Sequence, residues 1–193
     1  MRVHGNIVVF RRKNVVSKSD YKDYLQELKE DFGGICGYCG KSEQVTKNAF
    51  EIDHFTPRAI APELEKKYSN LVYCCYTCNR KKSSKWPTND KNICNDGKKG
   101  FVDPASTEYD KHLIRLEDGT IEGVTELGKY MCNSVFKFQM RPMKEIWICT
   151  KIYEKQKKLE EKISQMTLED GKEYIKLNKE LKELTSLLFT KKE

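Results

Sequence analysis

Two Cys-x-x-Cys pairs, Cys36-Gly37-Tyr38-Cys39 and Cys75-Tyr76-Thr77-Cys78, bracket an Asp53-His54 dipeptide. Thiolates at two-residue spacing grip a borderline-soft ion from one turn each. Cys36, Cys39, Cys75 and Cys78 therefore predict a tetrahedral structural zinc site that staples two distant segments. Asp53 and His54 offer different chemistry. A carboxylate can hold a hard divalent ion, Mg²⁺ or Mn²⁺, while an unligated imidazole takes a proton from water. Phosphodiester hydrolysis needs both, an activated water in line with the leaving oxygen and a cation on the developing charge. A lone Asp-His pair is ordinary surface polarity, but its place between two cysteine pairs and before Pro57-Arg58 makes it a candidate catalytic site.

Two asparagines extend the set. Asn70 precedes a second apolar run, where its amide can tie the loop of residues 55–69 and fix the orientation of His54. Asn79 directly follows a zinc cysteine, and its carbonyl oxygen can join Asp53 on the divalent ion. From position 80 to 99 there are seven Lys or Arg against two Asp, with Trp86 among them. Arg58, Arg80, Lys81, Lys82 and Lys85 are candidates for contacts to phosphates flanking the scissile bond. The same run also reads as a solvated helix face that balances a dianionic zinc tetrathiolate. No element stands out as a reader of bases.

Asp53-His54, Asn70 and Asn79, framed by Cys36/Cys39 and Cys75/Cys78, resemble the HNH endonuclease family of the ββα-metal (His-Me finger) fold over roughly residues 35–87. The resemblance implies His54 as general base, Asp53 and Asn79 on one divalent ion, and Asn70 as the residue that orients the loop. Many members carry His where this chain has Asn79, and an amide oxygen suits Mg²⁺ better than imidazole does. DNA is the implied substrate, RNA not being distinguished from it by these residues. Restriction, mobile elements and phage defence are the contexts the family suggests. The competing readings are a non-catalytic zinc module that binds nucleic acid and a protein-interaction adaptor built on the C-terminal helices. A mere binder has no need of a base beside a carboxylate.

The elements that must position these residues are legible in part. Residues 3–10 predict a short strand, and Ser19 a cap for a helix carrying Tyr21, Tyr24, Leu25, Leu28 and Phe32, stopped by Gly33-Gly34. Residues 50–53 and 71–74 predict strands on either side of the loop, followed by a helix over 77–84 and a wrapped surface segment over 88–105. Residues 112–116 and 120–124 flank Glu117-Asp118-Gly119, a hairpin signal. Thr125 is expected to cap a helix to about Gln139. Pro142 opens another, with Ile148, Ile152, Leu159, Ile163 and Met166 as its apolar positions. After a break around 167–171, Tyr174, Leu177, Leu181, Leu184 and Leu188 recur at alternating three and four. Residues 142–190 thus predict a helical hairpin or short antiparallel coiled coil, which packs on the protein itself, on a second copy, or on a partner protein.

The expected fold class is α+β: a small zinc-stapled ββα-metal nuclease core with flanking helices and a C-terminal helical hairpin. The expected divisions are 1–34, an N-terminal strand and helix; 35–105, the nuclease core with its zinc site; and 106–193, a β-hairpin and the C-terminal helices. At 193 residues the chain is long enough for one full core, and its formal charge of +7 favours an anionic partner. Eight cysteines without a secretion signal point to metal ligation rather than disulfides. Cys94, Cys132 and Cys149 are expected as ordinary buried thiols, and Cys74 on the strand face opposite Cys75. Ile7-Val8-Val9-Phe10 is too short for a signal peptide and no run reaches membrane-spanning length, so a cytoplasmic location is expected.

Overall fold

The computed structural model describes residues 1–46, 50–163 and 171–189. A 3₁₀ turn, Tyr21–Tyr24, runs into helix α1 (Leu25–Asp31). Strands β1 (Phe50–His54) and β2 (Leu71–Cys75) follow, then α2 (Tyr76–Lys82). Next come α3 (Tyr109–His112), β3 (Leu113–Arg115), β4 (Ile121–Gly123), α4 (Glu126–Lys129), α5 (Met143–Ile163) and α6 (Gly171–Phe189). The architecture is α+β, with two small antiparallel sheets and a C-terminal helical pair. No helix among the described residues is long and apolar enough to cross a membrane.

β1 and β2 pair with Phe50 opposite Cys75 and His54 opposite Leu71, so α2 springs from the strand end farthest from His54 and runs back beside β1. All five residues of β2 are buried, and the strand is in contact with both α1 and α2. α1 keeps Tyr24, Leu28 and Phe32 inward at helical spacing, and Gly33 and Gly34 end it at φ +59° and +68°. One hydrophobic cluster extends from Val3 through the β1–β2 hairpin to Phe101, Leu113, Phe136 and Met143.

Several elements differ from their expected form. Residues 3–10 are not a strand. Val3 and His4 are buried consecutively and Gly5 sits at φ +63°, so alternation fails and the segment turns. The helix cap is Asp20 rather than Ser19, its side chain accepting from the Lys22 amide at 2.9 Å. Thr125 does cap α4, accepting from the Gly128 amide at 3.0 Å. The helix nevertheless gives way to a π-helical stretch over Tyr130–Val135 and a 3₁₀ turn over Phe138–Met140. Phe136 and Phe138 both enter the core and stack on each other, and residues two apart cannot share one face of an α-helix. Cys132 is buried and Cys149 half-buried, whereas Cys94 is exposed on the irregular 88–105 segment. Trp86, which the sequence set among the basic residues, is buried between Phe55 and Phe101.

α5 and α6 form the expected hairpin, tied by Lys155–Glu180 and Lys162–Glu173 pairs. Tyr174, Leu177, Leu181, Leu184 and Leu188 form the covered side of α6, while Ile175 and Leu187 are exposed. On α5, Trp147, Ile148 and Leu159 are buried but Ile163 is exposed. Met166 and most of the expected break lie outside the described residues.

Candidate active site and metal centre

The first cysteine pair is a tight turn fastened from all sides. Gly40 N–H donates to the Cys36 carbonyl at 2.8 Å, and Gly37 N–H to the Tyr73 carbonyl of β2 at 2.9 Å. Glycine is required twice. A Cβ on Gly37 would lie 2.6 Å from the Phe32 ring, and Gly40, at φ +63°, would meet the Val3 carbonyl at 2.6 Å. The three remaining carbonyls of the turn each accept a side-chain donor. His4 Nε2 donates to Gly37 at 2.6 Å, Tyr109 to Tyr38 at 2.7 Å and Arg115 Nη2 to Cys39 at 2.6 Å.

The second pair sits at the β2–α2 junction, and the two meet. The Cys36, Cys39, Cys75 and Cys78 sulfurs all lie within 4.8 Å of one another, all buried. They are the only group of three or more His, Cys, Asp or Glu among the described residues that could hold a metal ion. A buried tetrathiolate of this compactness is the donor set of a structural ion such as zinc. Arg141 fits its charge, donating to Cys78 Sγ at 3.3 Å and Cys39 Sγ at 3.7 Å. Burial opposes the Arg141 charge, yet the facing sulfurs of Cys78 and Cys39 hold its pKa above the usual arginine value. Cys74 stays outside the cluster. Its thiol faces the Glu51 carbonyl, and burial pushes its pKa well up.

Asp53 and His54 end β1 beside this centre. The Tyr38 hydroxyl, from within the first cysteine pair, donates to Asp53 Oδ2 at 2.5 Å. Lys82, fully buried, sets its ammonium 2.9 Å from the same Oδ2 and donates to the His54 carbonyl at 2.7 Å. Asp53 Oδ1 has no hydrogen-bond partner among the described residues. Burial pushes the Asp53 carboxyl above its usual value, against the opposing pull of Lys82 and Tyr38. Lys82 thus differs from its expected role: a side chain with no exposure, spent on Asp53, cannot reach a phosphate.

His54 is oriented by the loop. Its Nε2 lies 2.9 Å from the Glu65 carbonyl, an acceptor only, so Nε2 carries the proton and Nδ1 keeps the lone pair. Tyr21 packs edge-on against the ring at 4.6 Å. Burial lowers the His54 pKa, despite the bond to Glu65, and keeps the imidazole neutral at pH 7. Asn70 clamps that loop, its Oδ1 accepting from Thr56 N–H at 2.8 Å and its Nδ2 donating to the Thr56 carbonyl at 3.0 Å.

Asn79, on α2, donates from Nδ2 to Glu51 Oε2 at 2.5 Å. Asp53, His54 and Asn79 all line one cleft of about 760 Å³, with Arg58, Arg80 and Ser84 on its walls. Arg80 and Arg58 are exposed but paired, with Glu51 at 3.3 Å and Glu65 at 2.8 Å. Lys81 is half-buried, and Lys85 is exposed with its ammonium on the Lys81 carbonyl. Asp53 Oδ1 and Asn79 Oδ1 are the kind of oxygen donors a hard divalent ion takes, and a neutral imidazole stands in the same cleft.

His4, Tyr38, Arg115 and Arg141 also support the site, through contacts that the cysteine and Asp-His motifs do not specify. Only Tyr38, lying inside a cysteine pair, carried a local signal. The other three depend on contacts with distant segments. No curated protein and no solved structure matches the chain. A family model described as HNH endonuclease matches residues 36–85, a span that holds both cysteine pairs, Asp53, His54, Asn70 and Asn79. The chain therefore carries, at residues 36–85, a domain of the HNH endonuclease family.

Proposed function

We propose that this domain is a divalent-metal-dependent nuclease that hydrolyses phosphodiester bonds in DNA, with a structural zinc ion in the four-cysteine cluster. The observation that carries the reading is the His54–Glu65 bond, which leaves Nδ1 as an unprotonated acceptor in the cleft that Asp53 and Asn79 also line. His54 takes the proton from the attacking water at Nδ1, and the imidazolium formed keeps its Nε2–H on the Glu65 carbonyl. Asn70 holds the loop that supplies this carbonyl, so the ring does not rotate away as the proton arrives. Asp53 and Asn79 would hold Mg²⁺ or Mn²⁺, which supplies positive charge to the pentacovalent phosphate and the leaving oxygen. Tyr38 and Lys82, both on Oδ2, leave Oδ1 for that purpose. Arg58, Arg80, Lys81 and Lys85 bring cationic charge to the cleft and its surroundings for the flanking phosphates. The test is supercoiled plasmid incubated with the zinc-loaded protein and Mg²⁺, Mn²⁺ or EDTA. Nicked or linear product with metal and none with EDTA is expected. Intact plasmid under every metal condition would contradict the reading, and digestion of RNA alone would move the substrate to RNA.

A further inference from the structure

Glu51 precedes Asp53 by two residues on β1, so the two carboxylates leave the same face of the strand. Both oxygens of Glu51 are engaged: Oε2 accepts from Asn79 Nδ2 at 2.5 Å and Oε1 from Arg80 Nη2 at 3.3 Å. A carboxylate has no donor, so the edge of the amide that Asn79 turns toward Glu51 has to be its NH₂. Its Oδ1 then points away from Glu51. Without such a partner the two ends of an asparagine amide are nearly equal in size and can exchange. In the exchanged orientation, N–H dipoles would face a cation.

We propose that Glu51 is a positioning residue for the divalent ion, sorting the Asn79 amide so that oxygen rather than NH₂ meets the metal. The proposal rests on the reading in which Asp53 and Asn79 hold that ion. With Asn79 and Arg80 on its oxygens, Glu51 is assigned the orienting of Asn79 rather than ligation of the ion. Arg80 acts as the counter-ion that keeps this carboxylate in place. Groups that orient a metal ligand from behind are commonly worth about 10–100-fold in metal affinity.

The test is Mn²⁺ binding to the full-length, zinc-loaded protein without nucleic acid, read from the paramagnetic resonance signal of free Mn²⁺. Glu51→Ala should weaken binding about tenfold, whereas Glu51→Gln, whose Oε1 still accepts from Asn79, should stay close to wild type. The sign should reverse in the Asn79→Asp protein. A carboxylate presents oxygen in either orientation and is repelled by Glu51, so adding Glu51→Ala there should tighten binding. Zinc content and thermal melting confirm that each variant is folded. Unchanged binding by Glu51→Ala, or an equal loss in both backgrounds, would overturn the proposal. So would a loss as complete as that of Asp53→Ala, since Glu51 would then be a ligand. If the wild-type and Asp53→Ala proteins bind Mn²⁺ equally, the ion is not held as proposed and both readings fall. Normal Asp53-dependent binding with an unaffected Glu51→Ala variant removes the role of Glu51 alone.

Discussion

His54 shows how a backbone carbonyl selects a tautomer. Because Glu65 can only accept, the proton sits on Nε2, and with His54 as the proposed base, removing the ring should cost the usual general-base contribution. His54→Ala is expected to keep its zinc and its fold while losing roughly 10²–10⁴-fold in plasmid cleavage rate. The pH dependence follows in sign. Burial lowers the His54 pKa from the ordinary 6.5, and in the proposed role the neutral ring is the active form. Activity should persist above that depressed pKa and fall as pH drops through it, with an acid limb below 6.5 in the rate profile. A limb at or above the ordinary histidine value would contradict the assignment. Asp53→Ala and Asn79→Ala should each raise the Mg²⁺ concentration needed for half-maximal cleavage. The double variant should be far less than multiplicatively worse, because the proposal places both residues on one ion. Fully multiplicative losses would assign them to separate sites.

At the scale of elements, the two cysteine turns form the hinge pin of the β1–β2–α2 unit. Ion binding by such clusters is worth on the order of 10–16 kcal/mol, against about 5–15 kcal/mol for the stability of a whole domain. Cys36→Ser or Cys78→Ser should therefore yield protein without the metal and without a cooperative thermal transition, and metal analysis of the purified chain should return one zinc. The first turn also depends on residues far outside it. Arg115 is 1 % exposed and gives hydrogen bonds to the carbonyls of Val3, Gly119 and Cys39, and burial brings its pKa down to about 10. Arg115→Met would leave these acceptors unpaired, and a loss exceeding about 4 kcal/mol is expected from denaturant titration. A loss under about 1 kcal/mol would mean that water replaces the guanidinium at little cost.

Across the whole molecule, the long C-terminal helices divide into an anchored part and an outer part. Trp147 of α5 packs against Gly5 and Gly119 and carries the Arg115 guanidinium 4.2 Å from its ring centre, so the start of α5 belongs to the core. α6 packs along α5, with Leu177 its most covered residue. Trp147→Ala should cost roughly 3–5 kcal/mol. A chain ended after Ile163 should keep its metal and its cleavage rate. Loss of zinc or a collapsed melting transition in that shortened protein would show that α6 supports the core.

The sequence by itself determined which residues are candidates for chemistry, because ligand spacing and strand alternation are local. Two Cys-x-x-Cys turns, an Asp-His at a strand end and an asparagine directly after the second pair require no knowledge of distant contacts. Neither do the α+β class or the hairpin of the last helices, both carried by short periodicities. What only the tertiary structure decided involves partners far along the chain. Lys82 looks like one more cation in a basic run, yet it is buried because Asp53, 29 residues earlier, needs a counter-charge in a dry site. Trp86 turns inward to meet Phe55 and Phe101. The 3–10 segment abandons strand geometry, its Val3 carbonyl claimed by Arg115 and its His4 ring by the first cysteine turn. Burial of charge and satisfaction of buried carbonyls are properties of the closed molecule, so no window of neighbouring residues carries them.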